Sequence, residues 1–274
     1  PQLTGILEDG PEERRKYLNL CISQANPAYA RALADYNQAL TQRNALLKLL
    51  NDRGGDREQL NYWDEIIAAR GSLLITTRAD VIQELEVVAK RVHERLTGSS
   101  EVLRLVYQPS YDPLPTPEGQ FSLPLQVQVQ RNGLTQEKVK QGFLARLSEV
   151  RVEEIARGVT TIGPHRDEMR VFSNGVDLTD YGSRGQIRTA LLSLKLAEVN
   201  WLKQKTGQWP VLLLDETLAE LDTRRRAYLL AYLEDAEQVL LTTTDMNLFP
   251  HDFRSKCERW QVSDGSVEKL AAED

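Results

Sequence analysis

The chain has 274 residues, with 34 lysines and arginines against 40 aspartates and glutamates, a formal net charge of −6. That length buries a large core in one or two domains, and the charge excludes a uniformly basic nucleic-acid surface, leaving only local patches. No apolar run approaches a bilayer span and no signal-peptide pattern is visible. Cys21 and Cys257 lack C-x-x-C spacing and read as reduced thiols, and His93, His165 and His251 are too scattered for a zinc site. Pro1 in place of methionine suggests a chain that begins inside a longer reading frame.

In chain order, residues 1–10 precede a helix over Glu12–Ala25 that Asn26-Pro27 interrupts. From Ala28 to Asn51, Tyr29, Leu33, Tyr36, Leu40, Leu47 and Leu50 recur at alternating spacings of 4 and 3, with Arg43 filling one slot. This is a heptad seam. Asp52–Asp56 forms a turn, and the return segment carries Leu60, Trp63, Ile67, Leu74, Val81, Leu85, Val88 and Val92, with Gly71 as a candidate kink. Two antiparallel helices of roughly 40 Å each, a short arm, follow from that pattern.

Beyond Gly98-Ser99-Ser100, strands are predicted at Val102–Tyr107 and Leu123–Gln130, then an amphipathic helix over Thr135–Arg157. Gly163–Asp167 reads as a Gly-Pro turn with no derivable role. Met169–Phe172 and Val176–Leu178 flank Asn174-Gly175, a strong hairpin signal. Gln238–Thr242 is a further buried strand, and Trp260–Val262 with Val267–Leu270 form a final edge pair.

Chemistry concentrates in Tyr181–Asp222. Ser183, Arg184, Gly185 and Gln186 open a helix with an apolar stripe, and a helix N-terminus offers free N–H groups to an anion. Ser183 there either caps the helix or donates to a phosphate oxygen. Val211–Leu214 is a continuous apolar run, as in a parallel strand buried on both faces. It ends in Asp215-Glu216, where such sheets bind ligands. Asp215 is placed to help hold Mg²⁺, and Glu216 to orient or deprotonate an attacking water. Leu221-Asp222 follows. None of the sixteen glycines precedes a lysine, so the usual phosphate-gripping loop is not among these residues.

The order Ser-x-Gly-Gln, strand-Asp-Glu, Leu-Asp is similar to that of ATP-binding-cassette ATPases. GPEERRKYL (Gly10–Leu18), QRNALLK (Gln42–Lys48), TTIGPHRDE (Thr160–Glu168), YGSRGQIRTALLSLKLAE (Tyr181–Glu198) and LLTTTD (Leu240–Asp245) resemble the RecF family, which is related to SMC heads. The resemblance implies an α/β head of cassette-ATPase and SMC type with a mainly parallel sheet, plus a helical lobe carrying a short antiparallel coiled-coil arm. On that reading, residues 1–25 end the N-terminal ATPase part and 26–98 form the arm. Residues 99–158 are connecting strands and helix, and 159–274 carry the signature turn, the Asp-Glu strand and the Leu-Asp loop.

The resemblance also implies an ATP-dependent homodimer in which Ser183, Arg184, Gly185 and Gln186 contact nucleotide across the interface, with Asp222 at the dimer face. It implies DNA binding, including gapped duplexes, and RecO and RecR as partners, in a cytoplasmic, nucleoid-associated protein without membrane contact. RecF-like chains often carry Asp-Asp where this one has Asp215-Glu216. The cassette switch histidine is replaced by threonines, so a γ-phosphate sensor at Thr243 or Thr244 competes with three residues simply finishing a strand. Arg224, Arg225 and Arg226, and Arg14, Arg15 and Lys16, are candidate DNA patches or solvated helix faces. The chain alone is expected to hydrolyse little ATP. The alternatives are a non-enzymatic interaction module derived from such a head, and a cassette ATPase of another purpose, such as a transporter subunit.

Overall fold

The computed structural model describes residues 5–114 and 134–270. The predicted strand at Leu123–Gln130 lies outside the described residues. The chain divides into two compact units, Pro1–Gln208 and Trp209–Asp274.

The first unit opens with a short helix α1 (Gly5–Glu8), then α2 (Pro11–Ala25) and α3 (Pro27–Arg53). The break between α2 and α3 has a local cause. Asn26 leaves the helical region, its side chain accepts from the Tyr29 N–H at 3.0 Å, and Pro27 occupies the first turn, where a missing N–H costs nothing. Gly54, at φ 70°, ends α3. Helix α4 (Leu60–Thr97) then runs for 38 residues, about 57 Å at 1.5 Å per residue. Contacts pair Tyr29 with Arg78, Asp35 with Arg70, Tyr36 with Gly71 and Arg43 with Asp64. Numbers rise on one helix as they fall on the other, so α3 and α4 are antiparallel.

Helix α4 passes through Gly71 without a break, and the glycine answers to packing instead. A Cβ there would stand 2.7 Å from Phe143 Cε1 and 3.2 Å from Tyr36 Cε2. Phe143 belongs to α5 (Gln136–Arg157), capped by Thr135, which packs on both α3 and α4. The polar slot in the seam marks the same junction. Arg43, fully buried, donates to Asp64 at 2.7 Å, to Glu154 of α5 at 2.6 Å and to Thr160 at 2.8 Å. Arg151 closes the set on Asp64 at 2.9 Å.

Strand β1 (Leu103–Gln108) pairs antiparallel with β2 (Glu168–Ser173), which turns through Asn174-Gly175 into β3 (Val176–Asp177). Asn174 has the positive φ, 48°, that this turn demands. A single turn α6 (Leu178–Tyr181) leads to α7 (Arg184–Thr206), packed along α4. Trp201 Nε1 donates to Glu84 at 2.6 Å, and the buried His93 meets Ser193 at 3.0 Å. One core runs through these elements, with Leu18, Ile22, Ile67, Leu85, Leu105, Phe143, Val171 and Leu194 among its members.

In the second unit, β4 (Leu212–Asp215) pairs in parallel with β5 (Val239–Thr242) across α8 (Thr223–Leu233). A short α9 (His251–Arg254) precedes the exposed hairpin of β6 (Trp260–Ser263) and β7 (Ser266–Lys269). The expectation that both of the parallel strands are buried is corrected here. Leu212 is buried, but Val211, Leu213 and Leu240 are 54%, 74% and 51% exposed. Successive side chains of a strand point to opposite faces, so a wholly apolar run reports apolar character on both faces without reporting a cover on both.

Candidate functional site

Ser183 is the N-cap of α7. Its Oγ accepts from the Gln186 N–H at 3.3 Å, while its own N–H donates to Gln186 Oε1 at 3.1 Å, a reciprocal capping box. Ser183, Arg184 and Gly185 are exposed. A Cβ added at Gly185 would meet nothing within 4 Å, so no neighbour in the chain requires glycine there. Both readings of Ser183 share this geometry: it is a cap, and the first turn beyond it faces solvent with its N–H groups forward.

The carboxylates stand at the carboxyl end of β4, where the parallel register sets Asp215 beside Thr242. The Thr242 hydroxyl donates to Asp215 Oδ1 and accepts the Glu216 backbone N–H at 3.2 Å. Glu216 has φ 48° and ψ 15°, a left-handed conformation uncommon outside glycine, asparagine and aspartate. That twist leads directly into the 3₁₀ turn Thr217–Glu220, so Asp215 and Glu216 do not continue the alternation of the strand. Thr242 was not among the residues singled out in sequence. Thr243 was, and its hydroxyl instead closes a local turn, donating to the Asp245 carbonyl and accepting the Asp245 N–H, each at 3.1 Å. In the sequence Thr242 is the final residue of the partner strand and the first threonine of the LLTTTD stretch, with nothing that marks it over Thr243 and Thr244.

Asp222 caps α8: its Oδ1 accepts from the Arg225 N–H and its Oδ2 from Arg225 Nη1, both at 2.9 Å. Arg226 donates to the Leu218 and Leu221 carbonyls at 3.3 and 3.0 Å. Two members of the arginine triplet therefore hold the loop that precedes them, while Arg224 is exposed. The other basic run is also drawn inward. Arg14 is buried and grips Glu168 through Nε and Nη2 at 2.7 and 2.8 Å, and Arg15 donates to the Asp167 carbonyl at 3.0 Å. Lys16 remains exposed, beside Glu13 at 2.6 Å and Glu12 at 3.3 Å.

The Gly163–Asp167 stretch has a structural role that its local sequence does not reveal. Gly163 takes φ 121°, where a Cβ would fall 2.5 Å from the Tyr36 hydroxyl. The buried Asp167 accepts from Arg78 Nη1 at 3.0 Å, from the Ser110 N–H at 2.9 Å and from the Tyr107 hydroxyl. Arg78, also buried, donates further to Tyr29, the Pro164 carbonyl and Asn19. His165 Nε2 lies 3.1 Å from the Thr160 carbonyl, which only accepts, so Nε2 carries the proton and Nδ1 receives the Tyr36 hydroxyl at 2.7 Å. Burial pushes His165 down to about 4, so the ring is neutral near pH 7.

A parallel strand ending in adjacent carboxylates, a Leu-Asp helix cap and a Ser-x-Gly-Gln helix opening are the marks of an α/β fold of the ATP-binding-cassette type. Comparison with known proteins then narrows the class. No protein-family model matches the chain. It is 38% identical over 246 residues to the DNA replication and repair protein RecF of Acetivibrio thermocellus, spanning 89% of this chain and 61% of that one. With RecF of Listeria welshimeri it shares 35% identity over 270 residues, 98% of this chain and 68% of the relative. Two solved structures of the recombination mediator RecF, with ATP and with an ATP analogue, superpose with TM-scores of 0.81 and 0.80. They share 29% and 30% identity, over 99% of this chain and 66% of theirs. The chain belongs to the RecF family. It spans 61% to 68% of the length of the relatives it matches.

Proposed function

We propose that this chain is the signature- and carboxylate-bearing part of a RecF-type ATPase that binds DNA and helps load recombinase at single-strand gaps. The observation that carries the reading is the Asp215–Thr242–Glu216 arrangement at the end of a parallel strand pair, in a chain 38% identical to a RecF protein. The donor set there is all oxygen, two carboxylates and a hydroxyl, which fits Mg²⁺. The metal when bound supplies charge neutralisation at phosphate oxygens. Asp215, with one oxygen already fixed by Thr242, would help hold the ion, and Glu216 would orient the attacking water and accept its proton.

The signature turn supports an ATP-dependent homodimer. Ser183, Arg184 and Gly185 are exposed at a helix opening that Gln186 completes, and these four residues would contact nucleotide across the interface; Asp222 would lie at the dimer face, each protomer completing the other's site. DNA contacts would be local and salt-sensitive, with Arg224, Arg225 and Arg226 as candidates. RecO and RecR would be partners of the intact protein in the cytoplasm, near the nucleoid. The 274 residues taken alone would turn over little ATP, because no glycine in them precedes a lysine to grip the phosphates.

The experiment is light scattering of the intact protein with and without ATP and Mg²⁺, wild type against Ser183→Arg. A dimer that appears with nucleotide and is lost in the variant supports the clamp. A monomer indifferent to ATP leaves a non-enzymatic interaction module as the better account.

A further inference from the structure

A cavity of about 290 Å³ opens between α2, α3, α4 and the Pro164–His165 turn, within the first unit. It is separate from the signature turn and the carboxylates, and two segments without a part in the nucleotide chemistry, Gly10–Leu18 and Thr160–Glu168, contribute to its walls. Its base is apolar: Leu74 is fully buried, the Tyr36 ring and Pro164 are buried, and Leu33 is half-buried. One face of α2 forms the rim, with Glu12, Arg15, Lys16 and Asn19 at positions i, i+3, i+4 and i+7.

Most polar groups around it are already committed. His165 is neutral, and both its nitrogens are used by Tyr36 and Thr160. Arg78 is neutralised by Asp167, and Lys16 by Glu12 and Glu13. Two donors are left over. Arg15 spends Nη1 on the Asp167 carbonyl, and among the described residues no carboxylate stands within 4 Å of its guanidinium; Glu168 and Asp167, paired directly with Arg14 and Arg78, act on it only from farther away, as does Glu12. The Asn19 Oδ1 accepts from both Arg78 and Tyr29, which turns its Nδ2 away from that network and leaves it without an acceptor among the described residues. Arg15 and Asn19 are one helical turn apart on the same face.

We propose that this cavity binds a monocarboxylate carried on a short apolar body, its oxygens accepting from Arg15 and Asn19 while the body lies on Leu33, Leu74 and the Tyr36 ring. Among the described residues, Arg15 is the guanidinium of this group without a carboxylate within 4 Å, so a single carboxylate can give it the direct charged partner it lacks. A phosphate dianion would leave a second negative charge beside Glu12 and would not use the apolar base. Free acids and the C-terminal residue of a partner chain share this chemistry. The proposal does not depend on the ATPase reading, since it involves neither the signature turn nor the carboxylates.

The test is calorimetric titration of the whole chain with N-acetyl-leucine, N-acetyl-leucine amide, isovalerate and inorganic phosphate. Saturable binding of N-acetyl-leucine is expected, with the uncharged amide about tenfold weaker or worse, the loss that a charge-assisted hydrogen bond predicts. Arg15→Gln should weaken N-acetyl-leucine to the level of the amide. Asn37→Trp, an exposed rim position on α3, should block the mouth without entering the core, and it serves as the second variant if Arg15→Gln fails to fold. Isovalerate binding as tightly as N-acetyl-leucine assigns the site to free acids, and a requirement for the amide bond assigns it to a chain terminus. No saturable binding of N-acetyl-leucine, equal affinity for its amide, equal affinity for phosphate, or wild-type binding by folded variants would each overturn the proposal.

Discussion

A hydroxyl that donates to one carboxylate and accepts the next residue's N–H restrains two groups at once, and Thr242 does this for Asp215 and Glu216. If the pair serves nucleotide chemistry, Thr242 is a positioning residue. Supporting groups of this kind typically cost ten- to a hundredfold when removed, so Thr242→Val in the intact protein should lower ATP turnover by about tenfold. Its melting temperature should barely move, because the site is exposed. An equal loss in Thr243→Val would shift the role to the residue whose hydroxyl here closes only a local turn. His165 supplies a second prediction, about pH. Burial lowers its folded-state value to about 4 from an ordinary 6.5, so the unfolded chain takes up the proton first. Stability is therefore fully present above about pH 6.5 and falls by roughly 3 kcal/mol as the pH drops towards 4. Urea titrations at pH 7 and pH 4.5 should show that loss, and His165→Gln should flatten the His165 part of the slope.

Helix packing explains why some positions were legible in the sequence and others were not. Asn26-Pro27, Asp52–Asp56, Asn174-Gly175 and the Ser183 cap act within a few residues of themselves, and each element boundary that they predict is present. Arg43 is different. In the sequence it is a gap in a heptad seam, and its meaning comes from Asp64, Glu154 and Thr160, up to 117 residues away. Asp167 likewise looks like part of a turn until Arg78, Tyr107 and Ser110 arrive from other elements. The carboxylate pair was visible from the strand it ends, whereas Thr242 becomes visible only once β4 and β5 are in register. Gly71 allows a decision by magnitude. On helix propensity alone, Gly71→Ala gains about 1 kcal/mol. Against that, the new Cβ would sit 2.7 Å from Phe143 Cε1, on a side chain locked in the core, and overpacking of this kind costs about 1–3 kcal/mol. The expected result is net destabilisation, read as a lower urea midpoint with an unchanged slope. A stabilised variant would mean that α5 can move off α4, and that the three-helix junction is looser than Phe143 implies.

At the scale of the molecule, the two units differ in how completely each buries its own apolar surface. The first contains a continuous core reaching from Ile6 to Leu202, reinforced by the buried pairs of Arg43 with Asp64 and Glu154 and of Arg78 with Asp167. Its described strands are paired, side chains cap the N-termini of α3, α5 and α7, and most of its buried ions have partners. The second leaves Val211, Leu213, Leu240, Trp260, Val262 and Val267 more than half exposed. Small units bury a smaller fraction of their surface and are correspondingly marginal, and an uncovered apolar strand invites association. Residues 1–208 produced alone should therefore remain monomeric and strongly helical, and should unfold in one cooperative urea transition. Residues 209–274 produced alone should fail to give a cooperative transition, or should aggregate. Circular dichroism and size-exclusion chromatography of the two pieces make the comparison. A molten 1–208 would mean that its core needs the remaining residues although that core, from Ile6 to Leu202, lies within one stretch of chain; a cooperative 209–274 would mean that seven buried side chains, Leu212, Leu218, Leu221, Leu229, Leu230, Leu233 and Phe249, suffice to hold a parallel strand pair with one face open to water.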